Sequence, residues 1–233
     1  MIITIAHQKG GTGKSTLATN IATLLQADIL DLDKQHSSAL WNYVRSLPKE
    51  QGGAGKAPLR MATLAISGCS LPAQTPIDTI DFQSYLNAYA ENTDHILVID
   101  TAGFDSGNNR LSLIMADMII TPVAPSQMDL YGLNQFRSIV QEAEEHVHRK
   151  LNSYVVLNNV VESSKKTWQD ATDYITSDPT FKLLHTKIHR RIDYQRAYEH
   201  GLSVVELAAT KKAAKEMKEL ADEIKAIIED IRK

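Results

Sequence analysis

The stretch HQKGGTGKST, residues 7 to 16, holds the side chains best suited to chemistry. Gly10, Gly11 and Gly13 let consecutive backbone N–H groups turn inward toward an anion. Lys14 is placed to reach the β- and γ-phosphates of a nucleotide, and the Ser15 hydroxyl suits a ligand of Mg²⁺. Thr12 and Thr16 complete the loop. Such a loop works only between a strand and a helix N-terminus. IITIA (2–6) before it is a short β-branched run that reads as a buried parallel strand. After it, Leu17, Ile21, Leu24 and Leu25 recur at helical spacing.

The same strand-then-helix rhythm continues. DILDLD (28–33), DHILVID (94–100), MIITPV (118–123) and SYVVLNN (153–159) read as strands, each followed by a helix-compatible segment. This predicts one doubly wound α/β domain over residues 1–233, a mainly parallel sheet flanked by helices with the ligand at the strands' C-terminal edge. A last helix is expected at about 210–232, packed on the domain or dimer surface. Asp100 ends the ILVID strand as a Walker B acid does, holding Mg²⁺ directly or through water. D-x-x-G from Asp100 to Gly103 matches switches in which the glycine N–H senses a γ-phosphate. Residues 48–76 are rich in Pro and Gly and read as a loop around one short strand near LRMATL (59–64). The GGAGK within them is a decoy, because Ala57 follows Lys56 and no strand precedes it.

Composition narrows the classes. The net charge of −3 excludes a global positive field, so nucleic-acid binding would need a local patch. One cysteine, Cys69, cannot close an intrachain disulfide and fits a reducing cytosol. No apolar run approaches the roughly 20 residues of a membrane span, and no signal peptide precedes the loop. A cytoplasmic protein is expected.

The standard loop, G-x-x-x-x-G-K-[ST], has glycine where this chain has Gln8. KGGTGKS is instead the deviant Walker A box with its signature lysine. Here the sequence resembles the ParA/MinD family of P-loop ATPases, and its ParA branch in particular. The resemblance implies ATP and Mg²⁺ as cofactors and an ATP-dependent homodimer in which Lys9 reaches the partner subunit's phosphates. Two facing polyanions repel, and a cation supplied in trans offsets that repulsion. ILDLDKQHSS resembles the family's D-x-D-P-Q motif, with Lys34 in place of proline. By position Asp33 matches the acid that orients the attacking water, although an acid there could merely cap the next helix. Asp31 is expected nearer the magnesium and loop side. PVAPSQMD resembles a segment near the family's dimer interface. Asn158 or Asn159 could face the adenine, or be ordinary loop residues.

Three classes of attachment compete in the last third. HTKIHRRIDYQRAYEHGLSVVE (185–206) resembles the ParA pattern of an arginine-bearing segment before G-x-S-V-x-E. Lys187, Arg190, Arg191 and Arg196 form a candidate patch for nonspecific, nucleoid DNA, or a solvated charged face. The resemblance also implies a ParB-like or cargo-adaptor protein that stimulates hydrolysis. A MinD-like membrane switch would need a basic, aromatic amphipathic C-terminal helix, and this one alternates lysine with acids. A cluster-binding metabolic enzyme would need cysteine pairs.

Overall fold

The computed structural model describes residues 1–64, 75–77, 81–92, 94–103 and 105–232; Cys69 lies outside them. Eight strands occur among these residues: β1 (Ile2–Ile5), β2 (Asp28–Asp31), β3 (Met61–Leu64), β4 (Thr75–Ile77), β5 (Leu97–Asp100), β6 (Met118–Val123), β7 (Ser153–Val160) and β8 (Lys182–His189). They form one sheet in the order β4-β3-β2-β5-β1-β6-β7-β8, with every neighbouring pair parallel. β1 sits at the switch point, with β2 and β6 on opposite sides of it. Loops leaving the C-terminal ends there diverge and open a crevice.

Alternate residues of each strand feed opposite layers, which is why β1 is apolar throughout its buried length apart from Thr4. Ile3 and Ile5 pack with Leu17 and Ile21 of α1 (Lys14–Leu25) and with Met217, Leu220 and Ile224 of α9 (Lys212–Ile231). Ile2, Leu97 and Ile99 face Phe82 and Leu86 of α3 (Phe82–Glu91). Ile119, Val155 and Leu157 meet Leu133, Phe136 and Val140 of α5 (Gln127–Val147). Truncating one such residue to alanine removes about 2–5 kcal/mol. The remaining helices are α2 (Ser37–Ser46), α4 (Gly107–Ile114), α6 (Lys165–Thr176), α7 (Ile192–Glu199) and α8 (Val204–Ala208).

Hydrophobic patterning reveals neither β4, which begins inside the stretch 48–76 read as a loop around one short strand, nor β8. In KLLHTKIH only Leu184 and Ile188 are fully buried, four residues apart, and the β7–β8 register shifts twice. α9 turns its apolar side onto this edge of the sheet, so that Met217, Leu220, Ala221, Ile224 and Ile228 are core residues. The decoy loop is structural: Lys56 pairs with Glu206 at 3.3 Å, beside the Arg45–Glu206 pair at 2.8 Å.

Candidate active site

The phosphate loop runs from the end of β1 into α1. Gly11 (φ 75°) and Gly13 (φ 93°) both adopt left-handed backbone, which side chains other than glycine rarely accept. Gly13 is the N-cap of α1, no side chain caps the helix, and its first turn carries no acid. The first N–H groups of α1 therefore face the crevice without a competing anion. A Cβ at Gly13 would lie 2.4 Å from Asn158 Nδ2, and that same amide donates to the Thr12 carbonyl at 2.7 Å. The tip of β7 thus holds the loop from the side.

Lys14 is buried and its ammonium donates to the Lys9 carbonyl at 3.3 Å. Burial lowers its pKa, opposed by Asp100 and Asp33. Gly103 lies close above: a Cβ there would be 3.2 Å from Gly10 N and 3.6 Å from Lys14 Nζ. The glycine of D-x-x-G therefore lies against the loop. Lys9 extends the other way, 41% exposed, with Nζ 2.7 Å from Asp129 Oδ1 at the first turn of α5. Its backbone N–H donates to His7 Nδ1 at 2.9 Å. His7 is buried, stacked on Phe136, and held neutral with a pKa of about 4, chiefly by burial and then by Lys14.

Two buried carboxylates stand side by side, because parallel register pairs Asp31 of β2 with Asp100 of β5. Asp31 Oδ1 accepts the Asp33 N–H at 3.0 Å and Oδ2 accepts the Ala39 N–H at 3.0 Å. It is raised well above the usual carboxylate range by burial, then by Asp100. With both oxygens committed to backbone, Asp31 shapes the β2–α2 turn. Asp100 is raised to about 6 by burial, against the Ser38 hydrogen bond, the neighbouring Ser15 hydroxyl and the charge of Lys14. Ser38 Oγ donates to Asp100 Oδ2 at 2.7 Å, whereas Oδ1 is buried without a hydrogen-bond partner among the described residues. An unpaired carboxylate oxygen beside a serine hydroxyl is a hard donor set that fits Mg²⁺. No cluster of three or more His, Cys, Asp or Glu that could hold a metal occurs among the described residues.

Asp33 does not cap α2. The N-cap is His36, and Asp33 Oδ1 instead accepts the Gln35 N–H at 3.0 Å. Its half-buried carboxylate lines a cavity of about 570 Å³ together with Lys14, Ser15, Thr16 and Gly103. A second cavity of about 230 Å³ opens beyond Gly11, Thr12 and Gly13, walled by Asn158, Asn159 and Ile188. Asn158 is tied to the loop, while Asn159 is exposed with left-handed backbone (φ 57°).

The four candidate DNA residues do not form one open patch. Arg190 and Arg196 are exposed. Lys187 lies over the Trp168 ring, 4.8 Å from its centroid. Arg191 is only 15% exposed and is paired with Glu216 and Glu162 at the wall of both cavities. Nearby, Lys211 pairs with Asp193 and Lys212 with Glu162. Ser38, His7 and the Lys9–Asp129 contact went unread in the sequence, where PVAPSQMD, which contains Asp129, reads only as resembling a segment near the family's dimer interface.

Known proteins resemble this chain along nearly its whole length. The carboxysome distribution protein A of Halothiobacillus neapolitanus is 28% identical over 236 residues, covering 98% of this chain and 95% of its own. The apo McdA structure from Cyanothece superposes with a TM-score of 0.68 at 17% identity, covering 96% of this chain and 98% of that one. A plasmid partition protein from Borrelia burgdorferi bound to AMPPNP superposes with a TM-score of 0.63 at 19% identity, covering 96% and 98%. These structures share the fold of ParA/MinD P-loop ATPases. The family described as ATPase MipZ matches residues 1–196, which takes in the loop, Asp33, Asp100 and both asparagines, and this chain belongs to it.

Proposed function

We propose that the protein is an ATP-driven positioning switch. Mg²⁺-ATP closes a homodimer, the dimer binds nucleoid DNA without reading sequence, and a cargo-bound adaptor stimulates hydrolysis that releases it. The observation that carries this reading is the division between two lysines. Lys14 lines the cavity of its own loop, while Lys9 points outward, 41% exposed, where a second copy's phosphates could meet it.

Within each site, Lys14 and the first N–H groups of α1 neutralise phosphate charge. Asp100 and Ser15 would hold Mg²⁺, which offsets negative charge on the phosphoryl oxygens. Asp33 Oδ1 is engaged by the Gln35 N–H, and its second carboxylate oxygen would accept a hydrogen bond from water in line with the γ-phosphate. Gly103, against the loop, registers whether that phosphate is present. Relatives named for carboxysome distribution and plasmid partition support a cargo-positioning role. The buried apolar face of α9 leaves no greasy side for a bilayer, and no helix among the described residues is long and apolar enough to cross one.

The test is mass by light scattering, with fluorescence anisotropy on an arbitrary duplex, in ATP analogue and in ADP. A dimer that forms and binds DNA only with the analogue is expected. Binding to anionic vesicles instead of DNA would replace this reading with a membrane switch.

A further inference from the structure

Arg191 belongs, by its position, to the nucleotide site rather than to a DNA-facing surface. It lines the 570 Å³ cavity that holds Lys14, Ser15 and Asp33, and also the 230 Å³ cavity bounded by Asn158 and Asn159. Lys14 and Arg191 are the two cations on the wall of the larger cavity. A nucleotide laid along the loop, with phosphates in one cavity and nucleoside toward the other, would pass Arg191, which lines both.

We propose that Arg191 is a phosphate-binding residue of the nucleotide site, and that Glu216 of α9 is the positioning residue that aims it. The proposal rests on the reading of residues 9–16 as an ATP loop. Arg191 Nε donates to Glu216 Oε1 at 3.0 Å, and Nη2 donates to the same oxygen and to Glu162 Oε1 at 3.3 Å. Nη1 makes no hydrogen bond among the described residues. Glu216 also accepts the His189 N–H at 3.2 Å and faces His189 Nδ1 at 3.0 Å. One carboxylate, 12% exposed, therefore fixes both the end of β8 and the guanidinium beyond it. Glu162 differs: it is 60% exposed, its contact is long, and Lys212 competes for the same oxygen at 3.2 Å. A phosphate oxygen can displace Glu162 while Glu216 keeps its grip, and the planar fork then presents Nη1 and Nη2 to the anion. Contact with DNA, by contrast, requires an open guanidinium, which Arg190 has and Arg191 lacks.

The experiment titrates fluorescent ADP and ATP into wild type, Arg191→Ala, Arg191→Lys, Glu216→Ala and the Arg191→Ala/Glu216→Ala double variant, with thermal melts to establish folding. Arg191→Ala should weaken both nucleotides about tenfold and alike, because the lost bonds are to phosphates the two share. Arg191→Lys, the milder variant if alanine fails to fold, should recover only part, since ammonium cannot pair in bidentate fashion. Glu216→Ala should weaken binding, and the double variant should bind no worse than Arg191→Ala alone. A merely structural glutamate would add its effect to that of Arg191. Normal ADP and ATP affinity in Arg191→Ala, with Lys14→Ala deficient, overturns the proposal and leaves the ATP loop standing. Normal affinity in Lys14→Ala overturns the ATP loop itself.

Discussion

Lys9 Nζ and Asp129 Oδ1 lie 2.7 Å apart in one chain, so the lysine expected to cross a dimer interface is docked on its own α5. Asp129 is well placed to hold it, since Ser126, the N-cap of α5, also donates to the carboxylate. The lysine is 41% exposed, and a pair so open to water contributes only about 0–1 kcal/mol. The dock is easily left. Asp129→Asn should raise the fraction of ATP-dependent dimer, by up to about fivefold in association constant for each of the two docks released. Lys9→Ala should abolish the dimer while sparing ADP binding by the monomer. Sedimentation with ATP analogue reads both, and a normal dimer in Lys9→Ala would exclude its role in trans.

Asp33→Ala should bind ATP and dimerise yet hydrolyse at least about 100-fold more slowly, the scale of losing a general base. Trapped dimer should accumulate under ATP. Since Asp33 does not cap α2 and alanine loses only the bond from the Gln35 N–H, about 1 kcal/mol, the variant should melt within about 2–4 °C of wild type. Single-turnover hydrolysis at the wild-type rate would leave Asp33 with no part in the chemistry.

Asp100→Asn should lose Mg²⁺-supported hydrolysis and, without nucleotide, should gain stability at neutral pH. Asp100 has a folded pKa of about 6, above its unfolded value. The folded state thus binds more proton between about pH 4 and pH 6, and stability falls as pH rises through that window. Removing the charge should return stability at pH 7.5 and almost nothing at pH 4. Denaturant unfolding at the two pH values measures it. A variant less stable at pH 7.5 would show that the carboxylate is not held against its charge.

DNA affinity of the ATP-bound dimer should fall steeply with salt. Each cation that neutralises a phosphate releases condensed counterions, contributing about −0.9 to the logarithmic slope. Arg190 and Arg196 are exposed, so charge reversal at both should flatten the slope by about two per protomer. An unchanged slope would remove these residues from the interface.

The local parts of the site were legible in the sequence. Strand, glycines, Lys14 and helix are contiguous, so propensity and spacing place them without long-range knowledge. The Asp31–Asp100 pair was half legible: both acids end apolar runs, but only sheet order puts β2 beside β5 and sets them in register. The Lys9–Asp129 contact joins residues 120 apart through the approach of α5. Arg191 counted as free positive charge because the carboxylate that claims it, Glu216, comes from another element 25 residues later. β8 escaped because its edge position leaves two of eight residues fully buried, too few to set an alternating pattern.

The bond from Asn158 to Thr12, with the close fit of Gly13 beneath it, bears on the timing of nucleotide exchange. A loop already strapped to β7 has no ordering step to complete when ligand arrives. Association should then follow simple second-order kinetics, with ATP and ADP distinguished by how long each stays. Asn158→Ala should unstrap the loop and let the observed rate level off at high nucleotide concentration, as loop closure becomes the slow event. Stopped-flow traces would show that plateau. The clock of the cycle would then be set by departure and hydrolysis, with arrival contributing no delay of its own.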